Sequence, residues 1–370
     1  MKIRTITCHK VVNYGASLQA LALQTYLTQA GHDVKIIDYT PAYNKLYDIW
    51  SISPKSHLYK LAQYFYVVKA LCAFKSYLQM RPTRGRHKAF ADFTDKYLKL
   101  TDNYGSYAEL VSNPPEADAY VCGSDQIWRT NLNNGKDPAF YLQFGDDKVR
   151  RVSYAASFGV PYVTDGMDYL IRLFLSKFDA VSVREASGID ILHGLGVEAT
   201  LVCDPVFLLS KEEWLKLLGV KERKIAEPYI LVYDLNRNIM HKDKKDFVTK
   251  YAKEHNLRMV AINDMGNTGF VDVNVNDGGP VDFVNLIAHA DFVVSDSFHA
   301  TAFSCIMHTP FKVFYDSPQS VRIKDYLDIV GLEKCMNTGD LVIDVDWDDV
   351  DKRLSSVIYK SKEYLSANLG

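Results

Sequence analysis

The sequence predicts an α/β protein made of two doubly wound parallel-sheet (Rossmann-like) units facing a cleft. Three observations predict this. Short apolar runs rich in Val, Ile and Tyr alternate with longer stretches of helical period. The alternation stops at Asp204-Pro205 and starts afresh at "YILVYDL" (229–235). At 370 residues the chain is also long for one domain.

The first series opens with an expected strand at Ile3–Thr7, then a loop through Asn13-Tyr14-Gly15. A helix should run from Ala16 to Ala30, with Gly31 closing it and Val34–Asp38 as the next strand. Ala119–Cys122, Arg151–Ala155, Ala180–Val183 and Thr200–Cys203 read as buried strands, and helices are expected near 86–99, 166–177 and 186–194. Pro205 forbids simple continuation and sets the first boundary. The second series adds a helix near 243–255, the strand "RMVAI" (258–262) and the helix "FVNLIAHA" (283–290). It continues with a strand at Phe292–Ser295, a helix at Ala300–His308 and the strand "FKVFY" (311–315). Arg322–Val330 and Val350–Leu369 read as helices. The expected division is 1–205, 206–345, and a C-terminal helix in 346–370 packing back on the first unit. Ligands of such sheets bind beyond the carboxyl ends of the strands.

With 48% hydrophobic and 24% charged residues the chain is an ordinary globular protein, and a net charge of −2 gives no pull towards nucleic acid. Six scattered cysteines, with no Cys-x-x-Cys and no zinc spacing, imply reduced thiols and no metal site. "MKIRTITCHK" has no apolar signal region, and no stretch reaches the ~18–20 apolar residues of a membrane span, so a cytoplasmic protein is expected. One segment departs from the average. Between Asp48 and Asp92 there is no acidic residue, while Lys55, Lys60, Lys69, Lys75, Arg81, Arg84, Arg86 and Lys88 fall among aromatics. A basic amphipathic helix over 57–79 either lies on an anionic membrane surface or packs on its domain with the lysines in water.

Five stretches carry candidate chemistry. In "SDSFHATAF" a helix starts just after a buried strand, so its free N–H groups and dipole favour an anion there. Ser297 and Asp296 suit that turn as caps or as ligands, and His299 sits beside the opening as a protonatable group. In "SVREASGIDIL", Arg184 ends a strand and can hold a carboxylate or phosphate bidentately, or pair with Glu185 or Asp190 on the surface. "VCGSDQIWR" places Gly123, Ser124, Asp125 and Gln126 after a strand, a hydroxyl-binding set, with Trp128 able to stack on a sugar face. An Asx-type turn with a core tryptophan explains the same residues. Asn13, Tyr14 and Gly15 precede a helix and either touch ligand or launch the helix. Arg322 and Lys324 in "SVRIKDYL" form a second anion clamp or a solvated basic pair. Read from the residues alone, these stretches make a cleft for an anionic donor and a hydroxyl-rich acceptor.

In this order, "NYGASLQALAL", "VCGSDQIW", "SYAASFG" (153–159), "SVREASGIDIL", "VCDPVFLL", "SDSFHATAFSCIMHTPF" and the "RI" of "SVRIKDYL" resemble the polysaccharide pyruvyl transferase family over residues 5 to 332. The resemblance implies a GT-B-like fold and transfer of pyruvate from phosphoenolpyruvate to two hydroxyls of a sugar, releasing phosphate. It implies no other cofactor. It places the catalytic histidine on His299, the donor-binding arginine on Arg184, and a further basic position on Arg322. The expected donor set is then Arg184, Ser297, His299, Arg322 and Lys324, with 206–345 as the expected donor-side unit. Asn13, Tyr14, Gly15, Gly123, Ser124, Asp125, Gln126 and Trp128 form the expected acceptor set in 1–205. Asp296 or Asp125 would take the proton of the attacking hydroxyl. Members usually carry Gly where this chain has Ala300, whose methyl is expected to narrow the space beside the donor. The acceptor implied is a surface-polymer saccharide, often polyprenyl-diphosphate-linked, which would bring the enzyme to the inner face of the cytoplasmic membrane. A nucleotide-sugar glycosyltransferase would need a base- or ribose-binding signature, and none is visible. A non-catalytic saccharide binder would have no need of both His299 and Arg184.

Overall fold

A computed structural model describes residues 1–44, 66, 68, 70, 84–234, 242–262, 269–314, 321–336 and 344–370. The helix expected over 57–79, apart from residues 66, 68 and 70, lies outside the described residues, as does the side chain of Arg322.

The first unit contains β1 (Lys2–Ile6), α1 (Tyr14–Gln29), β2 (Asp33–Tyr39), α2 (Arg84–Tyr97), β3 (Leu100–Tyr104), α3 (Tyr107–Ser112), β4 (Ala119–Cys122) and β5 (Arg150–Ser153). Its sheet is parallel throughout, in the order β3-β2-β1-β4-β5. Next come α4 (Asp168–Leu175), β6 (Ser182–Val183), α5 (Ala186–Gly194) and β7 (Thr200–Leu201). The second unit contains α6 (Lys211–Leu218), β8 (Tyr229–Tyr233), α7 (Lys242–Glu254), β9 (Arg258–Ile262), β10 (Val273–Val275), α8 (Pro280–Ala288), β11 (Phe292–Ser295), α9 (Phe298–Met307) and β12 (Phe311–Val313). Its strands are again parallel, ordered β10-β9-β8-β11-β12. The chain ends with α10 (Val321–Val330) and α11 (Trp347–Leu369). This is the GT-B-like plan of two Rossmann-like sheets.

Local chemistry explains where the elements differ from expectation. Helix α1 begins at Tyr14, not Ala16, because the Asn13 side chain accepts from the Ala16 amide at 3.1 Å and caps it. Strand β5 stops at Ser153, short of the expected Ala155, which adopts φ 56° and breaks the ladder. There Ser153 and Ser182 exchange side-chain bonds, Ser182 N–H donating to Ser153 Oγ at 2.7 Å, which ties β6 to β5. Helix α8 starts at Pro280, earlier than expected, with Asp282 accepting from the Gly279 amide at 2.8 Å. The unexpected elements are the edge strands β3 and β10 and the helices α3 and α6. "LTDNY" of β3 is polar and half exposed, so it lacks an apolar signal, whereas α6 carries a Ser210/Glu213 capping box and a Gly219 stop at φ 68°.

The two units meet on a buried seam centred on Tyr14. Its ring stacks on Phe283 at 4.5 Å, meets Tyr233 edge-on at 5.4 Å and packs on Phe90 at 5.2 Å. Its hydroxyl donates to the Gly278 carbonyl at 2.9 Å. Helix α11 returns to the first unit, where Tyr364 donates to the Ser153 carbonyl and Ser361 accepts from the Cys203 amide. The described cysteines are all free thiols, four of them buried. Among the described residues no helix is long and apolar enough to cross a membrane.

Candidate active site

Three chain segments converge at the seam. Arg184 follows β6, Asp204 follows β7, and His299 lies in the first turn of α9. Asp204 is the joint between them. Its Oδ2 accepts from Arg184 Nη1 at 2.5 Å and stands 3.6 Å from His299 Nε2, a charge contact longer than a hydrogen bond. Ser124 Oγ completes the cluster, accepting from Arg184 at 3.2 Å and donating to Asp204 at 3.3 Å. Burial alone would raise the Asp204 carboxyl, but the facing His299, then Arg184 and the Val206 amide, hold it well below the usual carboxylate range. Burial likewise opposes the charge of Arg184, and Asp204, Glu185 and Asp125 more than restore it.

The His299 ring rests directly on the α1 backbone. A Cβ added to Gly15 would stand 1.9 Å from His299 Nδ1, so only glycine leaves room for the ring. On the other side Phe298 meets the imidazole edge-on at 5.2 Å and lies under the Arg184 guanidinium, whose carbon is 5.5 Å from the ring centre. Ser297 caps α9, its Oγ accepting from the Ala300 amide. Arg184 Nε and Nη2 and His299 Nε2 are buried without a hydrogen-bond partner. Such groups suit a ligand that supplies acceptors. A cavity of about 500 Å³ opens behind Arg184 and Phe298, lined by Leu201, Phe207, Asp325 and Ile329.

The other sequence candidates fall in distinct places. Ser124 and Asp125 reach Arg184, the latter at 3.9 Å, and Asp125 also accepts from the Gln126 amide in a turn at φ 87°. Gly123 donates to the Ile6 carbonyl, and Gln126 accepts from Arg129. Trp128 offers no face to a sugar: it is fully buried, parallel to Tyr141 at 5.6 Å, with its indole N–H on the Phe140 carbonyl. Tyr14 is likewise fully buried in the seam, and Asn13 caps α1. Lys324 is exposed on α10. Glu185 is not a surface partner but a buried acceptor for the Phe158 and Gly159 amides. Ala300 is fully buried in the core cluster, so its methyl fills that core and does not narrow the opening.

Asp296 belongs to a second buried group. Asp234 follows β8, Asp296 follows β11, and Lys244 of α7 pairs with Asp234. Burial pushes the Asp234 carboxyl up, Lys244 draws it back, and the facing Asp296 raises it again, to about 6. Above its unfolded value and below about 6 the folded state holds the extra proton, so this group costs stability as pH rises through that window. Asp234→Asn cannot take up that proton. Its melting temperature relative to wild type should therefore climb between pH 4.5 and 7, by the equivalent of about 2 kcal/mol. A constant difference in the two melting curves would contradict the assignment.

A family model for polysaccharide pyruvyl transferase matches residues 13–318. The chain belongs to that family. No curated protein matches it. Among solved structures it is similar to the UDP-GlcNAc 2-epimerase of Methanocaldococcus jannaschii, at 12% identity and a TM-score of 0.52, covering 97% of this chain and 93% of that one. It is also similar to a putative UDP-N-acetylglucosamine 2-epimerase from Listeria monocytogenes, at 11% identity and a TM-score of 0.51, covering 98% and 89%. At such identities the likeness speaks for the fold alone.

Proposed function

We propose that this transferase moves pyruvate from phosphoenolpyruvate onto two hydroxyls of a saccharide, forming a ketal and releasing phosphate. The observation that carries the reading is the meeting of His299 and Arg184 on one buried carboxylate, Asp204. A proton goes to the methylene carbon of the donor, leaving positive charge on C2. One sugar hydroxyl attacks C2 and loses its proton to a base. Phosphate then departs, and the second hydroxyl closes the ketal as its proton leaves.

His299 is the acid in this scheme, its Nε2 3.6 Å from the Asp204 carboxylate. Arg184, with two unpartnered nitrogens, and the start of α9 at Ser297 receive the donor's oxyanions. Asp125, beside Arg184 and partly open, is the nearer candidate for the base, and Asp296 the alternative. The acceptor is a polymer saccharide or its lipid-linked precursor.

Thermal melting tests the donor: phosphoenolpyruvate should stabilise the protein and nucleotide sugars should not. Incubation with phosphoenolpyruvate and a panel of saccharides should then release phosphate and yield a product heavier by the pyruvate ketal. Stabilisation by nucleotide sugars alone would point to glycosyl transfer and end this reading.

A further inference from the structure

Arg86 is a buried cation in the seam with no counterion among the described residues. It lies in the first turn of α2 and is 4% exposed. Its Nε and Nη1 are buried without a hydrogen-bond partner. No acidic side chain of the described residues lies within the 4.0 Å reach of an ion pair. Its close contacts are the faces of Tyr14 and Phe90, whose centres are 4.5 and 5.5 Å from the guanidinium carbon. Cation–π attraction to the two rings offsets only part of the cost of burying an unpaired ion.

Among the described residues no ion pair closes the gap. Asp277 packs near, since a Cβ on Gly85 would stand 2.6 Å from its own Cβ, yet it makes no ion pair with Arg86. His87 is held below its ordinary value by burial and by the charge of Arg86. The chain from Asp48 to Asp92 is itself free of acids. Arg184 offers a contrast, with Asp204, Glu185 and Asp125 all within 4.0 Å.

We propose that Arg86 binds a phosphate-type oxyanion in the seam between the units. Its contacts are not those of Arg184, and the choice of sources rests on the proposed function. It adjoins the cluster nonetheless: Tyr14, under Arg86, precedes Gly15, on which His299 rests. Two sources carry this chemistry, the phosphate of the donor and a phosphate borne by the saccharide.

The test is melting at fixed ionic strength, with and without inorganic pyrophosphate, for wild type, Arg86→Met, Arg86→Lys and Lys88→Met. Arg86→Met without ligand should melt at or above wild type, because it removes an unpaired buried charge. Its rise with pyrophosphate should be less than half that of wild type, while Lys88→Met, at an exposed lysine of the same helix, keeps most of it. Arg86→Lys should recover part of the rise, and decides the matter if Arg86→Met does not fold. Titration with phosphoenolpyruvate and with glucose 1-phosphate then assigns the source, whichever loses roughly tenfold in affinity in Arg86→Met. A wild type indifferent to pyrophosphate overturns the proposal. So does an Arg86→Met that is less stable yet responds in full, because the guanidinium is then only a support for the two rings.

Discussion

Asp204→Ala is expected to lose about 3–5 kcal/mol of stability, because it strands the Arg184 guanidinium in a site that is only 2% exposed. Four interactions go at once: the bonds from Arg184 and Ser124, the contact with His299 and the cap on the Val206 amide. Ser124 Oγ cannot replace a negative charge. The pH dependence separates this from a simple packing loss. A carboxyl held below its unfolded value contributes stability above the unfolded pKa and loses it as pH falls through the folded one. The wild-type advantage over Asp204→Ala should therefore be full at neutral pH and shrink in acid. Chemical denaturation at several pH values measures it, and a pH-independent difference would refute the charge argument.

Gly15→Ala is expected to lower turnover as far as His299→Ala does, by roughly 10²–10⁴-fold if the histidine acts as the acid. The added methyl would lie 1.9 Å from Nδ1, 2.3 Å from Cε1 and 2.4 Å from Cγ of His299, so the whole ring must leave. Gly15 is in a helical first turn, where alanine is the better helix former, so α1 itself does not suffer. Loss of turnover with α1 intact would thus report the ring's position. The matching measurements are turnover and far-ultraviolet circular dichroism. A Gly15→Ala enzyme of normal activity would show that the ring does not need its seat.

The parallel-sheet plan was legible because β1, β4, β8 and β11 are buried and read as apolar runs, and because Pro205 marks the break. Two of the edge strands, β3 and β10, were not, since they bury too little to need apolar residues. His299 and Arg184 stood out by position at the ends of strands. Asp204 did not, although "VCDPVFLL" contains it: beside Pro205 an aspartate reads as a chain break. Only the fold brings it under residues 20 and 95 positions away. Tyr14 and Trp128 mark the opposite limit. A ring suited to a sugar face and a ring suited to a core have the same chemistry, and only packing decides between them.

The Tyr14 seam also bears on motion. Parting the units would expose Tyr14, Phe90 and Phe283, at about 1.5–3 kcal/mol for each ring. It would also break the bond to Gly278. Together that approaches the whole folding stability of an ordinary domain. The expected consequence is that the two units stay joined at Tyr14.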